Sequence, residues 1–401
     1  MTHGGGETTG LSLIESGNNA VPAAVIAAYE SALGESADGE RAGAEWIRRV
    51  AASDVGGDTL DRLELAVDDL ASAYSTNPPG ELLDDIRRHL GYAARLMDGK
   101  KTLIQHRRLL VAAGWLSLLA GTCHIDLGEL SAAAARLRVA RDIADEANHP
   151  EISAWCLETR AWQQLIDGEF AVAAELSRAA QAIAPANSSA YIQATAQEGR
   201  ALSRLGDGPG TYGALRKVAR LVSGMRVPDR PEHHFRYDPA KSDAYVATTL
   251  SWIGDPAAEA YARNVLADLA GAASVRPRRI ATARVDLGLA LVAADKPDEA
   301  ADVTLTAVIS GRLVPSNFWR VAEVVSGIEG RDVPDAATVR DAFRDTYPAK
   351  SSASRPIAHR GHEHLTGATS LVNDSFQDAG TDRDRLDTAI PAGHEPVSDP
   401  D

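Results

Sequence analysis

Residues 115 to 185 repeat themselves at an interval of 40, and this repeat restricts the possible folds more than any other feature. Shifting the stretch onto itself aligns Trp115 with Trp155, Gly128-Glu129 with Gly168-Glu169, Leu130 with Phe170, Ala133 with Ala173, Ala140 with Ala180 and Ile143 with Ile183. Each copy reads as a helix, a short turn carrying a glycine, and a second alanine-rich helix closed by Pro150 or Pro185. A helix pair of this size cannot bury its apolar face alone and must stack on its neighbours. The expected fold is all-α, a solenoid of helical hairpins.

Composition supports close helix packing: 44% of residues are hydrophobic but only 5% are aromatic, with alanine and leucine supplying much of the apolar content. A net charge of −15 and a pI near 5.2 oppose non-specific attachment to nucleic acid or to an anionic membrane. The two cysteines, Cys123 and Cys156, are too few for a secreted disulfide framework. Both fall in Ala/Leu-rich helices, where a free thiol packs as a small apolar group, and a reducing cytoplasm is the expected compartment. Arg107-Arg108 followed by LLVAAGWLSLLAG has the look of a twin-arginine export signal, yet it lies far from the N-terminus. The apolar run is shorter than the ~20 residues that span a bilayer, so a buried helix is expected and no membrane partner.

In chain order, residues 1–10 are Gly- and Thr-rich and expected to be disordered, and 11–34 read as helix, turn and helix about a Gly17-Asn18-Asn19 break. Residues 35–58 form a linker around a short helix near Trp46, and the solenoid is expected over 59–347. Within it, Asn77 to Gly80 stops a first helix, after which the chain continues in helical register from Glu81 into Trp115. A third unit carries Gly199 and Gly206, and later turns fall at Gly254 and Asp295. The Pro-rich segment 225–241 interrupts the array, since no continuous helix accommodates it. Residues 348–401 read as a disordered tail.

The small residues at fixed places resemble the tetratricopeptide pattern. Gly121, Gly128, Ala133 and Ala140 fill it in one unit, Ala161, Gly168, Ala173, Ala180 and Pro185 in the next, and Gly288, Asp295, Ala300 and Ala307 in the last clear one. Longer words such as SSAYIQATAQEGRALSRLGD, HHFRYDPAK, TLSWIGDPAAEAYAR and SGRLVPSNFWR are similar to the sensor half of actinobacterial transcriptional regulators. Those regulators join an XRE (Cro/C1)-type helix-turn-helix domain to a tetratricopeptide-like array. The resemblance covers about residues 8–330 and extends to Ser12, Ile14, Glu15 and Gly17, which match the word closing a recognition helix. It implies Ser12, Glu15 and Asn18 as remnants of a DNA-reading surface. An XRE domain needs two helices ahead of its recognition helix, so DNA is an expected partner only if they are supplied upstream or by a partner, a second copy in a homodimer included. A retained fragment would otherwise cap the solenoid.

The resemblance also places ligand-facing residues on the first helix of each hairpin, giving Glu158 and Trp162 in one unit and Gln193 and Arg200 in the next. A carboxylate, an indole, an amide and a guanidinium suit a peptide, protein or small-molecule effector in a concave groove; an ordinary solvated helix face is the competing reading. His234 and Tyr237, in the interrupting segment, either contact a ligand or pack back on the helices. Adjacent Cys123 and His124 point about 100° apart on a helix and read as a core thiol beside a partly exposed imidazole rather than a metal pair. Nothing supplies an activated nucleophile, an acid/base pair or a cofactor site. A sensor for transcription regulation is the first expectation, and a protein-binding scaffold on the same solenoid the second.

Overall fold

The computed structural model describes residues 52–271, 276–331 and 333–347, with a few isolated positions before them. Two compact units divide the chain, 1–347 and 348–401; the second lies outside the described residues, as does the 11–34 segment apart from isolated positions. Among the described residues there are fourteen α-helices and no strand. They are α1 Gly57–Ala73, α2 Pro79–Asp98, α3 Leu103–Asp126, α4 Leu130–Glu146, α5 Pro150–Ile166, α6 Phe170–Ile183 and α7 Ser189–Arg204. There follow α8 Gly208–Val222, α9 Ser242–Ile253, α10 Ala257–Gly271, α11 Pro277–Ala293, α12 Pro297–Ile309, α13 Phe318–Glu329 and α14 Asp335–Thr346. Consecutive helices pack as hairpins, and hairpins stack on one another, as an all-α solenoid requires.

The expected turns are in place, and one device builds five of them. Gly128, Gly168, Gly206 and Gly254 have φ between +72° and +82°, and Asp295 takes their place at +59°. In each case the next residue's N–H reaches back to a carbonyl five residues earlier: Glu129 to His124 at 2.8 Å, Glu169 to Gln164 at 2.9 Å, Asp207 to Leu202 at 3.0 Å, Asp255 to Leu250 at 3.0 Å and Lys296 to Leu291 at 2.9 Å. This closure satisfies the last carbonyls of the first helix and needs a left-handed residue, which glycine supplies without steric penalty.

The small residues lie at helix crossings. A Cβ on Gly121 would stand 2.8 Å from Leu137 Cδ2, one on Gly199 3.1 Å from Ala214 Cβ, and one on Gly288 would collide with the Thr304 hydroxyl. The backbones of α3 and α4, α7 and α8, and α11 and α12 therefore approach more closely than side chains permit.

The structure corrects three details. The helix expected to run unbroken from Glu81 past Trp115 is two antiparallel helices, because Gly99 ends α2 and Thr102 caps α3: its side chain accepts from Gln105 N while the Gln105 side chain accepts from Thr102 N. Pro150 opens α5 at its first turn rather than closing α4, where its missing N–H leaves no bond unmade. His124 is buried, 4% exposed, with Nδ1 at 2.6 Å from Glu129 Oε2. The apolar stretch belongs to the longer α3, which passes for a membrane span by length and composition; 78% of its apolar window is buried inside the fold, where it forms the centre of the largest core cluster. Cys123 and Cys156 are free and buried, and burial pushes both thiols up to about 12.

Replacing Gly288 by valine is expected to lower stability by about 1–3 kcal/mol through overpacking against Thr304 and Val324. Gly213→Ala, inside α8 with open space where the Cβ would sit, should instead raise it by up to about 1 kcal/mol. Thermal denaturation of the two variants side by side checks both signs.

Candidate functional site

The segment that interrupts the array crosses it. From the end of α8, residues 223–241 run to α1, where His234 N donates to Ala71 O at 3.0 Å. Arg230 pairs with Asp69 at 2.5 Å, and Asp68 takes His233 at 3.2 Å and Arg236 at 2.9 Å. Phe235, 3% exposed, is wedged among aromatic rings, its centroid 5.0 Å from that of Trp115 and 5.4 Å from that of Trp155. The segment packs back on the helices, with Phe235 and Tyr237 buried in core clusters, and His234 and Tyr237 also line a cavity.

A second tie joins the ends of the array. Asp126, at the end of α3 and fully buried, accepts from Tyr74 OH at 2.6 Å, from Ser316 Oγ at 2.6 Å and from the Arg278 guanidinium at the start of α11. Arg278 also sits 4.7 Å above the Tyr74 ring. Early and late hairpins are thereby held together, and the concave face becomes a cavity of about 280 Å³.

All six residues expected to face a ligand, Glu158, Trp162, Gln193, Arg200, His234 and Tyr237, line this one cavity. The solvated-face alternative is ruled out for Glu158 and Arg200, each 5% exposed. Ser12, Glu15 and Asn18 lie outside the described residues. Sequence reasoning missed Asp126, Gln197, Lys241, Tyr245, Arg278, Asp286 and Arg320, which also line it. A signal was present for some: Asp126, Asp286 and Arg320 are charged residues within otherwise apolar helical stretches, where charge is seldom buried without a partner.

Neither a protein-family model nor a curated protein matches the chain.

Six cationic side chains and four carboxylates line the cavity. Asp286 holds Arg320 at 2.6 Å, both 9% exposed, and Glu232 holds Arg279 at 3.1 Å. Glu158 has no such cation. Its Oε1 accepts from Gln193 Nε2 at 3.2 Å, and the same amide donates to Tyr245 OH at 2.7 Å. Burial pushes the Glu158 carboxyl up to about 7, with the Gln193 bond and the charge of Arg200 offsetting only part of that cost. Burial, then the nearby Arg236, brings His233 down to about 4; burial, then Lys241, holds His234 well below its usual value. Both imidazoles are neutral at pH 7.

A carboxyl raised in the folded state stabilises the fold least when it must ionise. Between the unfolded value near 4.5 and about 7, the folded chain retains a proton the unfolded chain has lost, so Glu158 removes stability as pH rises through that window. Glu158→Gln is expected to leave stability unchanged below pH 4.5 and to raise it above pH 7 by about 3 kcal/mol, the equivalent of the shift. Denaturant titrations of variant and parent across pH 4 to 8 read this difference directly.

Proposed function

We propose that this chain is the sensor portion of a ligand-responsive transcriptional regulator of the helix-turn-helix and tetratricopeptide type. Occupancy of the cavity would be passed on through the packing of its hairpins. One observation carries the reading: four residues at the groove positions of a tetratricopeptide-like array, on α5 and α7, and two from the segment that interrupts it meet at a single cavity. They are separated along the chain by as much as the distance from Glu158 to Tyr237, and a scaffold that merely presents an outer surface has no use for that convergence.

The volume narrows the effector. At about 280 Å³ the cavity is near the lower end of small-molecule sites, roughly 300–1,000 Å³, so a small molecule fits better than a peptide strand. Its wall is also the junction of early and late hairpins, since Tyr74, Asp126, Arg278 and Ser316 line it. A ligand bound there acts on the contacts that set the spacing of the array, and it shifts the population of arrangements by its differential affinity for them.

The second reading, a scaffold without a DNA role, draws on a different surface. Leu103 and Ile104 at the start of α3 are 82% and 75% exposed, and Leu65 on α1 is 50% exposed, apolar side chains of the kind a protein partner would cover.

Fluorescence anisotropy with duplex DNA from the chain's own promoter region, across a salt series, separates the two. Regulation predicts steep, salt-sensitive binding when two further helices are supplied ahead of residue 11, and little binding by the 401-residue chain alone. Binding by neither form favours the scaffold, and specific binding by the chain alone would show that a DNA reader persists within it.

A further inference from the structure

Most of the charge on the cavity wall is already matched. Asp126 is committed to Arg278, Asp286 to Arg320, Glu232 to Arg276 and Arg279, and Arg236 to Asp68. Among the described residues, Arg200 and Lys241 have no carboxylate within ion-pair range. Arg200 is the deeper of the two. It is 5% exposed, its Nη1 donates to Gln197 Oε1 at 3.2 Å, and its Nε has no acceptor; Gln197 Nε2, one turn earlier on α7 and fully buried, has none either. The guanidinium is held beside two rings, Tyr245 at 5.5 Å and Trp252 at 5.4 Å. Those faces attract the cation but accept no N–H bond in the guanidinium plane.

Such an arrangement is unfavourable for the fold alone. A buried guanidinium without a carboxylate forfeits its hydration, and a buried N–H without an acceptor forfeits a hydrogen bond. Burial, followed by the like charge of Arg320 nearby, brings Arg200 down to about 10, which still leaves it protonated at neutral pH. Replacement by a residue of similar length without charge would relieve both costs. The acceptor it lacks is planar and singly negative. A dianion would meet Glu158, which has no cation of its own, and the three other carboxylates on the wall.

We propose that the cavity binds a small organic monocarboxylate with an apolar, ring-sized body: the carboxylate seats on Arg200 and Gln197, and the body packs against apolar groups of the lining, Trp162, Val265 and Leu269 among them. Volume sets the size. About 280 Å³ is nearly twice the ~150 Å³ engineered cavity that accepts benzene, room for one ring with its acid group and a short linker. Guanidinium and carboxylate match in geometry, which a lysine could not reproduce. This names the effector class of the proposed sensor and rests on that reading for its biological role; the binding is measured on the 401-residue chain without DNA, so either can fail while the other stands.

The test is a calorimetric and thermal-shift titration with phenylacetate and benzoate, beside phenylacetamide as a neutral isostere, phenethylamine as a cation, and inorganic phosphate. Both acids are expected to bind and to raise Tm, with the amide, the amine and phosphate weaker by about tenfold or more. Arg200→Met should melt higher than the parent without ligand and bind the acids about 10- to 100-fold more weakly. Should that variant fail to fold, Gln197→Leu keeps Arg200 and should still weaken both acids. Equal binding of acid and amide, preference for phosphate or the amine, undiminished binding by Arg200→Met or, where that variant does not fold, by Gln197→Leu, or no response to either acid would each overturn the proposal.

Discussion

A solenoid gives no reason for its distant parts to meet, because each hairpin touches only its neighbours. In this chain the buried carboxylate of Asp126 provides one. It joins α3 to Arg278 and Ser316, 152 and 190 residues further along, and draws in Tyr74 from the end of α1. A fully buried carboxylate is tolerable only when its oxygens are satisfied, and here two hydroxyls and a guanidinium satisfy them. The crossing segment adds a second tie by anchoring residues 230–236 to Asp68, Asp69 and Ala71 of α1. The two ties draw early and late hairpins together around the cavity.

The cavity wall divides its charges between two duties. The paired groups, Asp126 with Arg278, Asp286 with Arg320 and Glu232 with Arg279, fix the positions of α3, α11, α13 and the crossing segment. Glu158 and Arg200 stand apart, each buried without an ion-pair partner and each displaced by burial toward its neutral form. Groups held at such a disadvantage to the fold are the ones a ligand can compensate. The fold therefore carries its least stable charges on the middle hairpins, α5 and α7, and its most secure ones where the ends are joined.

Much of this was legible in the sequence because repetition multiplies weak signals. One glycine at a helix end means little, but Gly128, Gly168 and Gly206 at matching places predict the left-handed turns the structure contains. Likewise Gly121 and Gly288 announced close helix crossings. The cavity-lining residues Glu158, Trp162, Gln193 and Arg200 were legible through the position of the first helix in each hairpin. Contacts that depend on long-range closure were not legible. Nothing local says that Asp126 meets Arg278, and a repeat register alone cannot say how tightly an array curls. The break between α2 and α3 was readable and was missed: Thr102 and Gln105 form a capping box, but the continuing helical period on either side concealed it.

Hydrogen exchange on Asp126→Ala tests most directly whether Asp126 closes the array. Removing the carboxylate leaves the Arg278 guanidinium, 16% exposed at its side chain, without its acceptor, a change that costs about 3–5 kcal/mol at buried pairs. If the closure holds the cavity together, amides of residues 313–317 and the first turns of α11 exchange faster, while α5 and α6, which pack mainly on each other and their neighbours, keep their protection. Unchanged protection at 313–317 and in α11 would mean instead that Asp126 does not close the array and that hairpin stacking alone sets its curvature.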